Sequence, residues 1–208
     1  PRPPPFGFRA PAAGSPVVPA SAAGLSPSPT QVETVSPAAA DHLVFLTAPQ
    51  ARAAGACSAA VALQSQDAFG NPSPVTAPTA VALSAAPAAG FAFYADAGCT
   101  IASTSAALVA GATGTDFWFK GTAPGTVPVT AAVAGWTPSP TRAETVTPAA
   151  ADHLVFTSAP QTVTAGACSG AATVESLDAF GNPAGVASAT AVALSAAPGA
   201  GFAFYSDP

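Results

Sequence analysis

The sequence repeats itself at one constant displacement of 111 residues. Residues 38–45 recur as residues 149–156, and residues 67–72 recur as residues 178–183, without insertions between them. A constant period of this length is near the usual size of one small domain and far longer than a solenoid repeat. The repetition therefore predicts domains arranged in tandem.

The period divides the 208 residues into three parts. Residues 1–37, the leading segment, match the C-terminal strands of a repeat, and residues 38–148, the complete unit, hold one whole repeat. Residues 149–208, the trailing segment, match the N-terminal part of a repeat. The sequence contains no Met and opens inside a repeat, so we interpret it as an internal piece of a longer array.

Composition excludes two classes of partner. Charged residues make up 7% of the chain, the net charge is −5, and Lys120 is the single lysine. Nucleic acids and anionic lipids need clustered Lys and Arg, which this sequence lacks. Pro, Gly, Ser and Thr interrupt every apolar run well before the ~20 residues that span a bilayer. We expect neither nucleic-acid binding nor membrane insertion in this fragment.

Alternation of apolar and polar residues, bounded by Gly and Pro, predicts seven or eight short strands in the complete unit. The inward side chains are predicted to include Cys57, Val61, Leu63, Val81, Leu83, Phe91, Phe93, Phe117, Phe119, Val127 and Val129. Trp118 and Ser58 are predicted to point outward. No segment has an apolar period of 3.6 residues. This pattern predicts an all-β fold, with one complete and two truncated antiparallel β-sandwich domains.

Four stretches of the complete unit together resemble a known family. They read QSQDAFGNP at 64–72, TAVALSA at 79–85, AGATGTDFWF at 110–119 and APGTVPVTA at 123–131. In this order they are similar to bacterial Ig-like domains of the invasin/intimin type, which carry an Asp-x-x-Gly-Asn-Pro turn after the second strand. The resemblance implies tandem Ig-like repeats in an extracellular or cell-surface bacterial protein.

Such repeats imply a non-catalytic structural or adhesion module, with neighbouring Ig-like repeats as partners and a host or surface protein or glycan as a further one. The alternative is an accessory carbohydrate-binding module of a secreted hydrolase. Tyr94 and Trp118, predicted to point away from the core, are its candidate contacts. We expect no cofactor.

The two cysteines of the complete unit are predicted to form a structural disulfide. Cys57 is assigned to an inward face and Cys99 follows the loop after Tyr94, so a bond would hold that loop to the second strand. The alternative is a pair of buried thiols in a cytosolic protein. Cys168 is the copy of Cys57, and a copy of Cys99 would fall at position 210. One repeat has too few ligands for zinc.

Residues 67–72, the DAFGNP motif, are predicted to form a structural turn. Asp67 is expected to form an Asx turn, Gly70 to take positive φ, Asn71 to tolerate the left-handed region, and Pro72 to end the strand. Phe69 is expected to anchor the loop on the core edge. The alternative, a calcium site, has only the Asp67 carboxylate here, and an interdomain site using Asp41, Glu33 or Asp96 has few carboxylates.

No catalytic residues are expected. Each repeat has one His, His42 or His153, placed directly after an Asp. Neighbouring strand residues point to opposite faces, so this adjacency is not expected to bring Asp and His into one site. No Ser-His-Asp set or Gly-x-Ser-x-Gly elbow occurs within a repeat.

Overall fold

The computed structural model describes residues 5–26 and 29–206. The regular secondary structure of these residues consists of β-strands. The strands are β1 (Val17–Pro19), β2 (Thr30–Val32), β3 (His42–Phe45), β4 (Ala51–Ala53), β5 (Val61–Gln66), β6 (Thr79–Ala85), β7 (Phe91–Tyr94), β8 (Ser105–Leu108), β9 (Gly114–Gly121), β10 (Gly125–Ala132), β11 (Thr141–Thr147), β12 (His153–Phe156) and β13 (Val174–Leu177). A search of these residues for a helix able to cross a membrane finds none.

Strands β3 to β11 form a sandwich of two sheets within the complete unit. One sheet has the order β3-β5-β9-β7 and the other β4-β11-β10-β6-β8. All neighbouring strands are antiparallel except β4 and β11, which run parallel. The all-β antiparallel sandwich expected from the sequence is therefore present. The sequence does not indicate the parallel strand β4, because the three residues Ala51, Arg52 and Ala53 are too few to show a period-2 alternation.

The core lies between the two sheets and follows the predicted alternation. Val61, Leu63, Phe117 and Phe119 point into it from β5 and β9. The opposite sheet contributes the following buried side chains: Val81, Leu83, Ala106, Leu108, Val127, Val129, Ala131 and Val146. Large aromatic rings occupy much of the core beside the many small alanines. The Phe91 and Phe119 rings, for example, stack with centroids 5.0 Å apart.

The predicted assignment of inward and outward side chains is wrong at residues 57 and 58, just before β5. Ser58, expected to point outward, is buried, and its hydroxyl accepts a hydrogen bond from the Phe119 main-chain N–H at 2.9 Å. Cys57, expected inward, is only half-buried. Regular strand β5 begins at Val61, so the alternation that holds along the strand does not extend back through residues 57–60.

A buried ion pair lies where the chain passes from β3 in one sheet to β4 in the other. Arg142 and Glu144 point inward from β11, and Arg142 Nε donates to Glu144 Oε1 at 2.7 Å. Glu144 Oε2 accepts the Gln50 main-chain N–H at 2.6 Å, while the Arg142 guanidinium donates to the Thr47 carbonyl. Both Gln50 and Thr47 lie between β3 and β4. The pair thus fixes the segment that passes from one sheet to the other.

The flanking segments contain two short hairpins in the register of the complete unit. Strand β1 pairs with β2 as β10 pairs with β11, and β12 pairs with β13 as β3 pairs with β5, each shifted by 111 residues. Cys168 and Val174, the copies of residues assigned inward, are exposed. The hairpin register survives in these segments, although the second layer of the sandwich does not cover it.

Candidate functional site: the joint between consecutive copies

The side chain of Asp67 organises the DAFGNP turn. Its Oδ1 accepts the main-chain N–H groups of Phe69 and Asn71, each at 2.9 Å. The Asn71 side-chain nitrogen also contacts both carboxylate oxygens, at 3.1 and 3.0 Å. Asp67 is completely buried. An Asx turn of this kind replaces lost hydration by several donors, which is how a buried carboxylate avoids a large desolvation cost.

The other turn residues adopt the following conformations. Gly70 has φ of +82°, a value that favours glycine. Asn71 does not adopt a positive φ, so the left-handed conformation expected of it is not used. Pro72 forms an isolated bridge with Gln66, and the Ser73 N–H then donates to the Ser65 carbonyl at 3.0 Å. The chain therefore folds back along the end of β5 beyond Pro72.

The copy of this turn in the trailing segment has the same internal geometry. Asp178 is completely buried, and its Oδ1 accepts the N–H groups of Phe180 and Asn182 at 2.9 Å. Gly181 has φ of +81°. The turn therefore forms in the same way even where the rest of its sandwich is incomplete.

Both turns also bind the connector, the segment 38–41 or 149–152 that leads into the first strand of their own unit. Asp67 Oδ2 accepts the main-chain N–H of Ala38 at 2.8 Å, and Asp178 Oδ2 accepts that of Ala149 at 2.9 Å. Ala38 and Ala149 are the first residues of the predicted repeats. Each buried carboxylate thus fixes the point at which one copy passes into the next.

The asparagine of each turn binds the copy before it. Asn71 Nδ2 donates to the main-chain oxygen of Pro11 at 2.8 Å, and Asn182 Nδ2 donates to that of Thr122, also at 2.8 Å. Pro11 and Thr122 are equivalent positions, 111 residues apart. Asn71 Oδ1 additionally accepts the Ala13 main-chain N–H at 2.9 Å. We call this set of contacts between a DAFGNP turn, the connector and the preceding copy the joint.

An aromatic ring completes the joint after the complete unit. A β-carbon placed on Gly55 would lie 2.7 Å from Cε2 of Phe180 and closer still to Cζ, so the ring rests directly on this glycine. Gly55 has φ of +77°. Phe69, the equivalent ring of the complete unit, is 57% exposed, so the expectation that it anchors on the core edge is wrong. Phe180, its copy in the trailing segment, contacts the preceding copy at Gly55.

The two buried carboxyls have unusually low pKa values. Burial raises the pKa of Asp67 and Asp178. Hydrogen bonds from Asn71 or Asn182 and from main-chain N–H groups have a larger, opposite effect. The pKa of each carboxyl is therefore about 2, below the ordinary value of 3.8. Both carboxylates are therefore ionised throughout the physiological range, as acceptors of several N–H groups must be.

The disulfide predicted from the sequence is present. Cys57 and Cys99 are bonded, with their α-carbons 5.8 Å apart, and Cys168 is a free, exposed thiol. The loop that Cys99 belongs to is also held by Asp96, which accepts the N–H groups of Gly98, Thr100 and Ile101. These bonds lower the Asp96 pKa, with the Ile101 N–H as the largest cause. The loop is thereby fixed beside the segment that precedes β5.

The neighbouring Asp and His residues do meet, contrary to expectation. His42 Nδ1 lies 2.5 Å from Asp41 Oδ1, and His153 Nδ1 lies 3.1 Å from Asp152 Oδ2. The argument from strand alternation fails because Asp41 and Asp152 precede the strands, which begin at His42 and His153. Within the described residues, no Ser, Thr or Cys side chain forms a hydrogen bond with either imidazole.

The outer face of β7 and β9 carries a small aromatic and basic group. Tyr94 and Trp118 are direct cross-strand partners, both half-buried, and Lys120 Nζ lies 5.3 Å from the centre of the Tyr94 ring. Lys120 also donates to the Cys99 carbonyl at 3.4 Å. The disulfide loop and this outer face are therefore adjacent.

Across 5–26 and 29–206, no group of three or more His, Cys, Asp or Glu side chains is placed to hold a metal ion. In the DAFGNP turn, the carboxylate oxygens that calcium would need already accept hydrogen bonds from N–H groups.

No family model and no curated protein matches the chain. Among solved structures, domains 4–9 of surface layer protein SbsC align with 14% identity and a TM-score of 0.40, over 83% of this chain and 25% of that one. A glycosyl hydrolase family 2 member from Bacteroides cellulosilyticus aligns with 17% identity and a TM-score of 0.41, over 65% of this chain and 18% of that one. A beta-glycosidase from Bacteroides vulgatus aligns with 10% identity and a TM-score of 0.42, over 56% and 15%. The chain thus spans a quarter or less of the length of each of these proteins.

Proposed function

We propose that this chain is a non-catalytic spacer of a secreted or surface-anchored bacterial protein, built from Ig-like units whose direct partners are their neighbours in the same chain. One observation carries the proposal. The same side-chain hydrogen bond to the preceding copy occurs twice, from Asn71 to Pro11 and from Asn182 to Thr122, at a separation of one repeat.

The chemistry of the joint suits a spacer. The asparagine binds a main-chain oxygen, so the contact does not depend on which side chain occupies the accepting position, and Pro and Thr serve equally. The neighbouring carboxylate holds the connector through Ala38 or Ala149. A connector bound at its end and followed directly by a strand gives a stiffer link than a flexible linker.

The disulfide supports placing the protein outside the cytoplasm. Disulfides persist in oxidising compartments and are rare in reducing ones. Closing the loop from Cys57 to Cys99 stabilises a domain of this size by roughly 3–4 kcal/mol in the chain-entropy model. That contribution is present only where the bond stays oxidised.

The spacer function predicts a fixed orientation between consecutive copies. Spin labels at Ala107→Cys and Glu175→Cys, in a Cys168→Ser background, report the distance between the complete unit and the trailing segment by double electron–electron resonance. We expect a narrow distance distribution that Asn182→Ala broadens. Asn71→Ala is the matched control, because it removes the other joint and should leave this distance unchanged. A broad distribution in the parent chain would contradict the proposal.

The second candidate, an accessory carbohydrate-binding module, is favoured by one observation. Tyr94 and Trp118 lie side by side on the outer face with Lys120 beside them, and paired rings are a common stacking surface for sugars. Titration with soluble oligosaccharides, followed by isothermal titration calorimetry, tests it. Binding that Trp118→Ala abolishes and Trp136→Phe preserves would support this function.

A further inference from the structure

The segment of the complete unit that receives the next copy lies between β4 and β5. Residues 54–58 lead from β4 in one sheet towards β5 in the other and form no strand themselves. The Phe180 ring of the trailing segment rests on Gly55, within this segment. We call residues 54–58 the seat. A shift of the seat would move the surface on which the ring of the next copy rests.

Main-chain hydrogen bonds hold the seat to the end of β9 at two points. The Gly55 N–H donates to the Gly121 carbonyl at 2.7 Å, and the Ser58 N–H donates to the Phe119 carbonyl at 2.9 Å. Cys57 lies between these two points and is half-buried. Segments held by few and partly exposed main-chain hydrogen bonds open locally at little cost in free energy. These bonds alone would therefore hold the seat loosely.

The second contact of the joint lies beside the seat. Thr122, whose main-chain oxygen accepts the hydrogen bond from Asn182, directly follows Gly121, the residue that binds Gly55. Both contacts of the next copy are thus made at the end of β9. Their relative position depends on how the seat lies against this strand end.

The disulfide gives the seat a covalent link to a separate, well-held loop. Cys57 is bonded to Cys99, which is buried. The loop around Cys99 is held by Asp96, which accepts three of its main-chain N–H groups, and by Lys120, whose Nζ donates to the Cys99 carbonyl at 3.4 Å. The seat is therefore bonded to a loop that is fixed independently of it.

We propose that the disulfide between Cys57 and Cys99 orients the following copy, in addition to stabilising its own unit. With the bond in place the seat has one position, so Phe180 rests on Gly55 while Asn182 binds Thr122. Without the bond the seat moves against the end of β9, and the following copy loses its fixed orientation. The inference rests on the proposed spacer function, because that function requires a fixed orientation.

The two effects of the bond can be separated. Closing a loop stabilises a domain wherever its two cysteines lie. Orientation of the next copy arises only because Cys57 lies two residues after Gly55, on the segment that the Phe180 ring contacts. Loss of stability alone would affect the complete unit, whereas loss of orientation changes the distance between the complete unit and the trailing segment.

That distance, measured by double electron–electron resonance, tests the proposal. Spin labels are placed at Ala107→Cys and Glu175→Cys in a Cys168→Ser background. The parent should give a narrow distribution. Adding Cys57→Ser and Cys99→Ser removes the bond, and we expect the distribution to become about twofold wider or more, as for a link without fixed geometry. Circular dichroism establishes that the complete unit is folded in each labelled chain.

A matched control lowers stability without touching the seat. Leu43 is buried in the core and pairs with Ser65, at the end of β5 that lies away from the seat. Leu43→Ala therefore destabilises the complete unit while the bond and residues 54–58 stay in place. We expect its distance distribution to remain as narrow as that of the parent. A broad distribution would show that orientation follows the stability of the unit, and would overturn the proposal.

Two further variants examine the path from the disulfide to the next copy. Asp96→Ala keeps the bond but releases the loop around Cys99, so we expect a smaller widening of the distribution. Phe180→Ala removes the ring that contacts the seat. In a Phe180→Ala background, removal of the bond should widen the distribution no further. Additive widening would show that the disulfide does not act through this contact.

The remaining outcomes distinguish this inference from the spacer function. A narrow distribution in the folded chain without the bond would overturn the inference and leave the spacer function intact. A broad distribution in the parent would contradict the spacer function and the inference with it. If the chain without the bond does not fold, Asp96→Ala decides, since an unchanged distribution in that variant also overturns the inference.

Discussion

The side-chain nitrogen Nδ2 of Asn182 lies 2.8 Å from the main-chain oxygen of Thr122, and it donates a hydrogen bond from one copy to the copy before it. The same nitrogen also lies within 3.0 Å of both oxygens of the buried Asp178 carboxylate. One amide thus connects the inside of a turn to a neighbouring unit. The turn that the sequence marks most clearly is therefore both an internal structure and a contact.

The contact between Phe180 and Gly55 predicts a strong effect of a single methyl group. Gly55→Ala should destabilise the joint, because the new β-carbon would lie 2.7 Å or less from the Phe180 ring and because φ of +77° disfavours alanine. We expect backbone strain of about 1 kcal/mol and a further ~1–3 kcal/mol from the clash. Urea denaturation followed by intrinsic fluorescence measures the combined cost, and hydrogen exchange at residues 178–183 reports loosening of the joint.

A double-mutant cycle separates the clash from the strain. In a Phe180→Ala background the ring is absent, so Gly55→Ala should cost only the backbone strain. Gly166→Ala gives a second control, since Gly166 has φ of +84° and no atom lies within 4 Å of the point that an alanine β-carbon would occupy there. Equal costs of Gly55→Ala with and without Phe180 would show that the ring does not press on this glycine in solution.

The buried pair of Arg142 and Glu144 predicts an asymmetric response to substitution. Glu144→Gln keeps an acceptor for the Gln50 N–H but leaves the Arg142 charge buried without a counter-charge. Breaking a buried pair in this way typically costs about 3–5 kcal/mol. Replacing both residues, as Arg142→Met with Glu144→Gln, should cost much less, because no unpaired charge remains. Denaturant unfolding at pH 7 gives the comparison.

A double variant as unstable as the sum of its two single variants would contradict this coupling. The pair would then contribute through separate contacts, such as that of Arg142 with the Phe45 ring, 4.6 Å from the guanidinium carbon. Arg142→Lys is a useful further variant, because lysine keeps the charge but lacks the planar group that reaches both Glu144 and Thr47.

The alternation in the sequence predicts the sandwich and most of its core. Val61, Leu63, Phe117 and Phe119 alternate over regular strands, and period-2 patterns report directly on which side chains share a face. The disulfide can also be expected, since Cys57 and Cys99 are the two cysteines of one unit. These features follow from local pattern and from a count of residues.

The joint and the buried pair cannot be read in the same way. Asn182 and Asn71 bind the main-chain oxygens of Thr122 and Pro11. Every residue type has a main-chain oxygen, so the residue types at these positions do not indicate the contact. Arg142 and Glu144 do occupy alternate positions with buried Val146. Two opposite charges on the inward face of a strand, in a chain with only five Lys and Arg residues, are the signal that the sequence carries. A core prediction that considers only apolar residues does not include Arg142 and Glu144.

Substitutions on the two faces of the β7–β9 pair should differ in cost. Phe93→Ala removes a buried ring that contacts Phe91 and Phe117 edge to face, with centroids 5.5 and 5.7 Å away. We expect a loss of about 3–5 kcal/mol in the free energy of unfolding. Trp118→Ala on the outer face should cost clearly less, since Trp118 is only half-buried. Guanidinium denaturation ranks the two, and the opposite ranking would mean that the assignment of faces is wrong.

The low pKa of Asp67 predicts that acid weakens the fold. Its folded pKa of about 2 lies below the ordinary value of 3.8. A carboxyl whose pKa is lowered by folding stabilises the folded state fully above its unfolded pKa, and this contribution disappears as pH falls through the folded value. Asp178 has the same shift and acts in the same direction. We therefore expect stability to be constant above about pH 5 and to fall between about pH 4 and pH 2.

Urea midpoints across this pH range, compared between the parent and Asp67→Asn, measure the contribution of the turn carboxylate. The variant should be less stable at pH 7, because an amide cannot accept all the N–H groups that Asp67 Oδ1 and Oδ2 accept. Its stability should also depend less on pH below 4, since it lacks the group that acid protonates. Asp116→Asn, at an exposed carboxyl that accepts none of these hydrogen bonds, should keep the steeper dependence of the parent. If Asp67→Asn and the parent lost stability in parallel between pH 4 and pH 2, the turn carboxylate would not be the group that acid protonates on unfolding.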